Sequence, residues 1–303
     1  MLSRQSLILG AAFIVTGELC FATMGVGIRF VSRELPNEMI VFARNLVGLA
    51  LLAPWLLRRG VANIATPVPA LHLLRAVAGV SAMYCFFYAI ANLPLAEAML
   101  LKLTAPVFMP LIAMLWLREQ VTARLWVALG IGFAGVVVIL DPSFAGETAI
   151  VSPIAIVGLL GGLLAALAKV TVRRLSRSEP PARIVFYFAL IAGAISSLPL
   201  LWAWQTPSPM ALLWLLGIAT SATLGQLALT RGLSLAPASR MGAFGYFAVV
   251  FGAGYGWLIW GEPVTWALVI GSVLIVVAGL LAGRSSFRGR LGQGAGSIQP
   301  ARG

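Results

Sequence analysis

Long, nearly continuous apolar runs dictate what this chain can become. A helix needs about 20 predominantly apolar residues to cross the hydrocarbon layer of a bilayer. The sequence offers ten segments of that kind, near residues 6–30, 37–57, 70–91, 95–117, 122–140, 151–172, 182–203, 209–230, 236–260 and 264–283. Their continuity selects helices, because the strands of a membrane barrel alternate apolar and polar residues. Turn chemistry falls between the segments: Pro36, Pro94, the Asp141-Pro142 pair, Pro180 and Pro181 sit where a missing backbone donor costs least. Thr122 and Thr265 are placed to cap the helices that follow them. The first run, Leu7 to Phe30, exceeds the ~7–15 apolar residues of a signal peptide and is expected to be retained as a helix.

Charged residues make up only 10% of the 303 positions, against roughly 25% in a soluble domain, so no soluble domain fits beside the apolar segments. A net charge of +12 invites a nucleic-acid partner, but the arginines are scattered in small groups between apolar runs and form no single basic face. Their partner is the bilayer surface. With the N-terminus inside, sixteen of the 21 lysines and arginines fall on the inner side, Arg75 among them. Arg29 and Arg33 lie outside, and Arg44, Lys102 and Lys169 lie in the membrane. That asymmetry puts both termini in the cytoplasm. Residues 284–303, rich in Gly, Arg, Ser and Gln, read as a disordered basic tail. Cys20 and Cys85 lie inside apolar segments, with no disulfide framework or metal-ligand spacing.

The chain repeats itself. Arg29–Pro36, running on to Ile40-Val41-Phe42, matches Arg173–Pro180, running on to Ile184-Val185-Phe186. Leu93–Ala98 matches Leu233–Ala238, and Glu119-Gln120-Val121-Thr122 matches Glu262-Pro263-Val264-Thr265. Two units follow, 6–140 and 151–283, each of five helices. Because five is odd, the second unit enters the membrane from the opposite side. The fold expected is therefore an all-α integral membrane protein of ten transmembrane helices in two inverted five-helix repeats, the arrangement behind alternating access in many secondary transporters.

These residues resemble the drug/metabolite transporter superfamily and, within it, the EamA-type ten-helix proteins. Leu95–Val107 is similar to that family's fourth helix. Leu117–Thr122 and Trp260–Thr265 are similar to its Leu-Gly-Glu-Arg-Leu-Thr ending, and Arg44 sits where the family often has an arginine in helix two. Arg118, where the family favours glycine, and Glu97 and Lys102, at positions usually apolar or small, depart from its pattern. The resemblance implies a multi-pass protein of a bacterial inner membrane that moves small solutes such as amino acids, metabolites or drugs. Bacterial relatives include exporters of threonine and homoserine and of aromatic amino acids.

Ionisable groups at membrane depth need partners or water. Glu18 lies near mid-membrane, and Arg44 and Lys102 lie roughly 10–12 Å inside their helices. Read functionally, Lys102 and Arg44 face an anionic group and Glu18 a cationic one; read structurally, Glu18 pairs with one of the cations and only holds helices together. Glu97 and Lys169 lie within a turn or so of helix ends and are expected to snorkel. Tyr84 and Tyr88, with Ser81, mark one face of helix three. Tyr246 lies among glycines in helix nine and Gln226 is an isolated polar group in helix eight; each is either a substrate contact or packing. His72 is expected to meet headgroups or a loop. No Walker A loop, nucleophile–base set or metal cluster is present, so no enzymatic role and no cofactor are expected. The leading function is export of amino acids with apolar or aromatic bodies. The rivals are export of lipophilic cations, a non-transporting membrane protein and an intramembrane enzyme. A coupling proton on Glu18 and a homodimer stay open.

Overall fold

The computed structural model describes residues 4–58, 65–92, 104–140, 153–261 and 266–284. Among them, ten helices have 13 residues or more: α1 (Arg4–Val31), α2 (Asn37–Arg58), α3 (Pro69–Asn92), α4 (Ala105–Leu117), α5 (Ala123–Leu140), α6 (Pro153–Leu175), α7 (Pro181–Ser197), α8 (Pro209–Leu235), α9 (Phe247–Trp260) and α10 (Trp266–Arg284). No strand occurs among the described residues. Five spans are long and apolar enough to cross a membrane: Gln5–Val31, Pro69–Phe86, Ile156–Leu175, Pro209–Leu235 and Ala238–Trp260.

The helix starts follow from local chemistry. Pro69, Pro153, Pro181 and Pro209 each open a helix, where the missing N–H has no intrahelical partner to lose. Ser208 caps α8 by accepting from the Ala211 N–H at 3.1 Å. Thr122 caps α5, its hydroxyl accepting from the Leu125 N–H at 3.4 Å; Thr265 lies outside the described residues. The expected segment 182–203 is divided, α7 ending at Ser197 before a short turn of helix at Leu200–Ala203. The segment 236–260 is also broken: a short helix at Ala238–Met241 passes through a 3-10 stretch, Gly242–Tyr246, into α9.

Helix pairing is specific. α1 lies along α8, α3 along α6, α5 along α10 and α2 along α7; α4 also packs on α6, α9 on α1, α2 on α8 and α3 on α7. Glycines set the closest approaches. A Cβ on Gly232 of α8 would stand 2.8 Å from the Gly10 carbonyl oxygen of α1, too close for any side chain, so the backbones meet directly as small residues allow in membrane packing. The outer faces carry large bare apolar side chains such as Leu115, Leu201 and Leu258, a surface suited to lipid.

The loops fasten helix ends through carboxylates. Glu34, after α1, accepts from the Ser208 N–H and hydroxyl at 2.8 and 2.9 Å. Glu179, after α6, accepts from the Thr66 hydroxyl at 2.6 Å just before α3. Glu119, after α4, accepts from the backbone of Ala238 and Ser239 and from the Ser239 hydroxyl, satisfying the open N–H groups that start the short helix.

Arg118 ends α4 in the left-handed conformation at φ 55°. Gly261 ends α9 the same way at φ 65°. The left-handed position costs a non-glycine residue roughly 1–2 kcal/mol, partly offset by the greater unfolded-state entropy of glycine. Arg118→Gly is expected to raise the thermal midpoint in detergent by a few degrees, and Gly261→Arg to lower it; the opposite pair of shifts would contradict this account of the two caps.

Candidate functional site

Six helices, α1, α2, α3, α6, α7 and α8, bring polar side chains together around a cavity. A cavity of about 150 Å³ is lined by Glu18 and Phe21 of α1, Arg44 of α2, Arg75 and Gly79 of α3, Gly158 and Lys169 of α6, Phe188 of α7 and Gln226 of α8, with further residues of α1, α3, α6 and α8. It is large enough for a body about the size of a benzene ring. A second space of about 10 Å³ shares Arg44, Phe188 and Gln226 with it, room for about one water.

One wall of the cavity, beside Lys169, carries only small residues. α6 presents Gly158, Gly161, Gly162, Ala165 and Ala168 to it, and at Gly161 a Cβ would stand 2.8 Å from Cys85 of α3. The rest of the apolar lining is bulky, with Phe21, Met24, Met83, Phe86 and Phe188.

Two polar bonds cross the cavity. Lys169 Nζ donates to Glu18 Oε1 at 3.3 Å, joining α6 to α1. Arg75 Nη2 donates to Gln226 Oε1 at 3.0 Å, joining α3 to α8. Glu18 is 2% exposed, and the 3-10 stretch leading into α9 brings Gly245 to 3.7 Å from its Oε1, as measured from a built Cβ. A short 3-10 piece within a helix often marks a hinge, and here it lies against the ion pair.

The two arginines are held differently. Arg44 Nη1 contacts the Met83 thioether at 2.6 Å, a weak acceptor. Both guanidiniums lie over the Phe188 ring, Arg75 at 4.1 Å and Arg44 at 5.8 Å from its centroid, within range of a cation–π attraction. The Arg75 guanidinium occupies the room left by Gly79, where a Cβ would collide with it.

Of the residues singled out in the sequence, Glu18, Arg44 and Gln226 meet in this cavity. Lys102 and Glu97 lie outside the described residues. The tyrosines stand elsewhere. On α3 the cavity stripe is Arg75, Gly79, Ala82 and Phe86; at 3.6 residues per turn, Tyr84 and Tyr88 fall on roughly the opposite side. Tyr84 packs in the apolar contacts of α2 and α7, and Tyr88 is exposed. Tyr246 is fully buried against Leu129 and Gly132 of α5.

Two cavity residues were misjudged from sequence. Lys169 was expected to snorkel from a helix ending near residue 172, but α6 runs to Leu175. That extra turn puts Lys169 about 9 Å inside, where Glu18 is its partner. Arg75 was counted with the inner-side arginines, yet it stands six residues inside α3 and is 5% exposed. Its distance of six residues from Pro69 at the helix start is the sequence signal of that depth. His72 takes the loop alternative: it is buried, its ring tilted by 33° against Tyr187 with centroids 4.4 Å apart, and it lies 3.9 Å from Glu179 in the loop after α6.

A model of the EamA-like transporter family matches residues 8–141 and again residues 152–284. The pseudopaline exporter CntI of Pseudomonas aeruginosa is 35% identical over 279 residues, 91% of this chain and 96% of that protein. A riboflavin transporter of Vibrio cholerae is 27% identical over 274 residues, 89% and 91% of the two chains. An S-adenosylmethionine uptake transporter of Rickettsia felis is 23% identical over 252 residues, 83% and 84% of the two chains. A crystal structure shares the fold with a TM-score of 0.76 at 21% identity, over 92% of this chain and 97% of the other. Matched along both halves, and over a third identical to a curated exporter along nearly its full length, the chain is a membrane transporter for metabolites and belongs to the EamA-like transporter family.

Proposed function

We propose that this chain is a secondary transporter that exports amino acids and similar zwitterionic metabolites by alternating access at the α1–α3–α6–α8 cavity. The carrying observation is the lining itself: one carboxylate, Glu18, and the cations Arg44, Arg75 and Lys169 stand around an apolar space. Binding sites for small molecules commonly combine an apolar wall with a few placed polar groups. A zwitterion offers its carboxylate to a guanidinium and its ammonium to Glu18 in exchange with Lys169. An apolar or aromatic body then rests on Phe21, Phe86 and Phe188. The exporter relative supports the direction of transport.

Helix pairing supports an inverted repeat of ten crossings. Exchanging α1 with α6, α2 with α7, α3 with α8, α4 with α9 and α5 with α10 turns the α1–α8 pair into α6–α3, α4–α6 into α9–α1, and α2–α8 into α7–α3. The pairs α2–α7 and α5–α10 map onto themselves. Both bonds across the cavity join a helix to its counterpart, so small relative motion of the halves strains or relieves them together. Such rocking about a midplane site is how inverted-repeat transporters alternate access.

With both termini cytoplasmic, Glu34 faces outward and Glu119 inward. In a background free of Cys20 and Cys85, a cysteine at 34 is expected to react with an impermeant maleimide on intact cells, and one at 119 only after permeabilisation. The reverse pattern would overturn this topology.

A lipophilic cation is the competing substrate, and it would meet three cations in the described lining. Purified protein in liposomes is expected to exchange phenylalanine and leucine but not tetraphenylphosphonium. Arg44→Ala is expected to lower amino-acid exchange by about tenfold or more, the scale of one charge-assisted hydrogen bond. Absence of exchange across a broad panel of amino acids would sink the proposal, and cation flux without amino-acid flux would replace it with the rival.

A further inference from the structure

Arg44 and Arg75 are each 5% exposed and both line the cavity. Among the described residues, no carboxylate lies within salt-bridge distance of either; the ion pairs there run from Lys169 to Glu18, from Arg173 to Glu119, and from His72 and Arg183 to Glu179. Their hydrogen bonds go to neutral groups, the Gln226 amide and the Met83 sulfur. The Nε of each guanidinium has no partner among the described residues. Glu18 is already engaged by Lys169. The described lining therefore carries three cations and one carboxylate, a formal excess of two positive charges. Glu97 and Lys102, outside the described residues, add no net charge when taken together.

Two buried cations beside one ring are costly unless something anionic comes to them. A guanidinium presents a planar fork of donors matched to a carboxylate, and two such forks match two carboxylates. The second fork is unnecessary for a simple zwitterion, whose single carboxylate needs one. We propose that the solute carries two acid groups, one taken by Arg44 and one by Arg75 on either side of their shared contact with Phe188. This deepens the transport reading above and rests on the cavity being the transport site. Gln226 is a positioning residue, holding Arg75 through its amide oxygen. The preferred substrates are thus amino-acid-like dicarboxylates with a short or flat carbon body, suited to a space of about 150 Å³.

The test compares probes equal in size that differ by one charge: glutamate with glutamine, and 4-carboxyphenylalanine with 4-carbamoylphenylalanine. Binding is read by ligand-induced thermal stabilisation of the purified full-length protein in nanodiscs, and transport by counterflow in liposomes. Within each pair the acid is expected to bind and exchange about tenfold or more better than the amide, the scale of one charge-assisted hydrogen bond. Arg75→Gln should bring the acid-to-amide ratio of binding close to one, and Arg44→Gln should do the same if Arg75→Gln does not fold. Amides equal to or better than acids in the unmodified protein would overturn the two-acid proposal and leave zwitterion transport standing. Failure of all four probes and of leucine to bind or exchange would overturn both.

Discussion

Charged side chains within apolar helices need partners or water, and this chain gathers four of them around one cavity. Everything else in the fold makes that gathering tolerable. Glu18 and Lys169 neutralise each other across α1 and α6. Arg75 is held by Gln226 across α3 and α8, and both arginines rest on the face of Phe188. An apolar replacement of a buried ion pair is frequently as stable as the pair itself, so stability alone gives little reason to keep these charges. On the proposed function, the transported solute supplies that reason.

The packing follows from this constraint. A polar centre reachable by a solute needs space, and a helix bundle makes space where one helix lacks side chains. α6 supplies that face with its glycines and alanines, while α1 and α8 close on each other through Gly10 and Gly232 at their far crossing. The loop carboxylates fix the ends of the same helices: Glu34 holds the start of α8, Glu179 the approach to α3, and Glu119 the short helix before the 3-10 stretch. That stretch brings Gly245 beside Glu18 and Lys169, so the break in helical geometry lies at the charges.

Much of the architecture was legible in the sequence because membrane spans announce themselves by length and apolar continuity, and prolines mark their starts. The site was only half legible. Glu18, Arg44 and Gln226 stood out as isolated polar residues in apolar runs. Arg75 was hidden by being grouped with the arginines of the inner loops, and Lys169 by a helix end placed one turn early. The tyrosines misled for a different reason. A helix face can be read from spacing, but which face meets the cavity is decided by the partner helices, and α3 turns Arg75 and Gly79 to the cavity and Tyr84 into the apolar packing with α2 and α7. The Gly/Ala face of α6 carried a usable signal, since glycines at 158, 161 and 162 within a long apolar run mark a wall without bulk.

The central claim is that this cavity is open to each side of the membrane in turn and is filled by the transported solute. Ala165 lies in its α6 wall without a polar bond to lose. A cysteine placed there, in a chain lacking Cys20 and Cys85, tests the claim directly with an impermeant thiol reagent in right-side-out and inside-out vesicles. The expected result is labelling from both sides, slowed from both sides by saturating transported solute. Labelling from one side only, or labelling that the solute leaves unchanged, would contradict it.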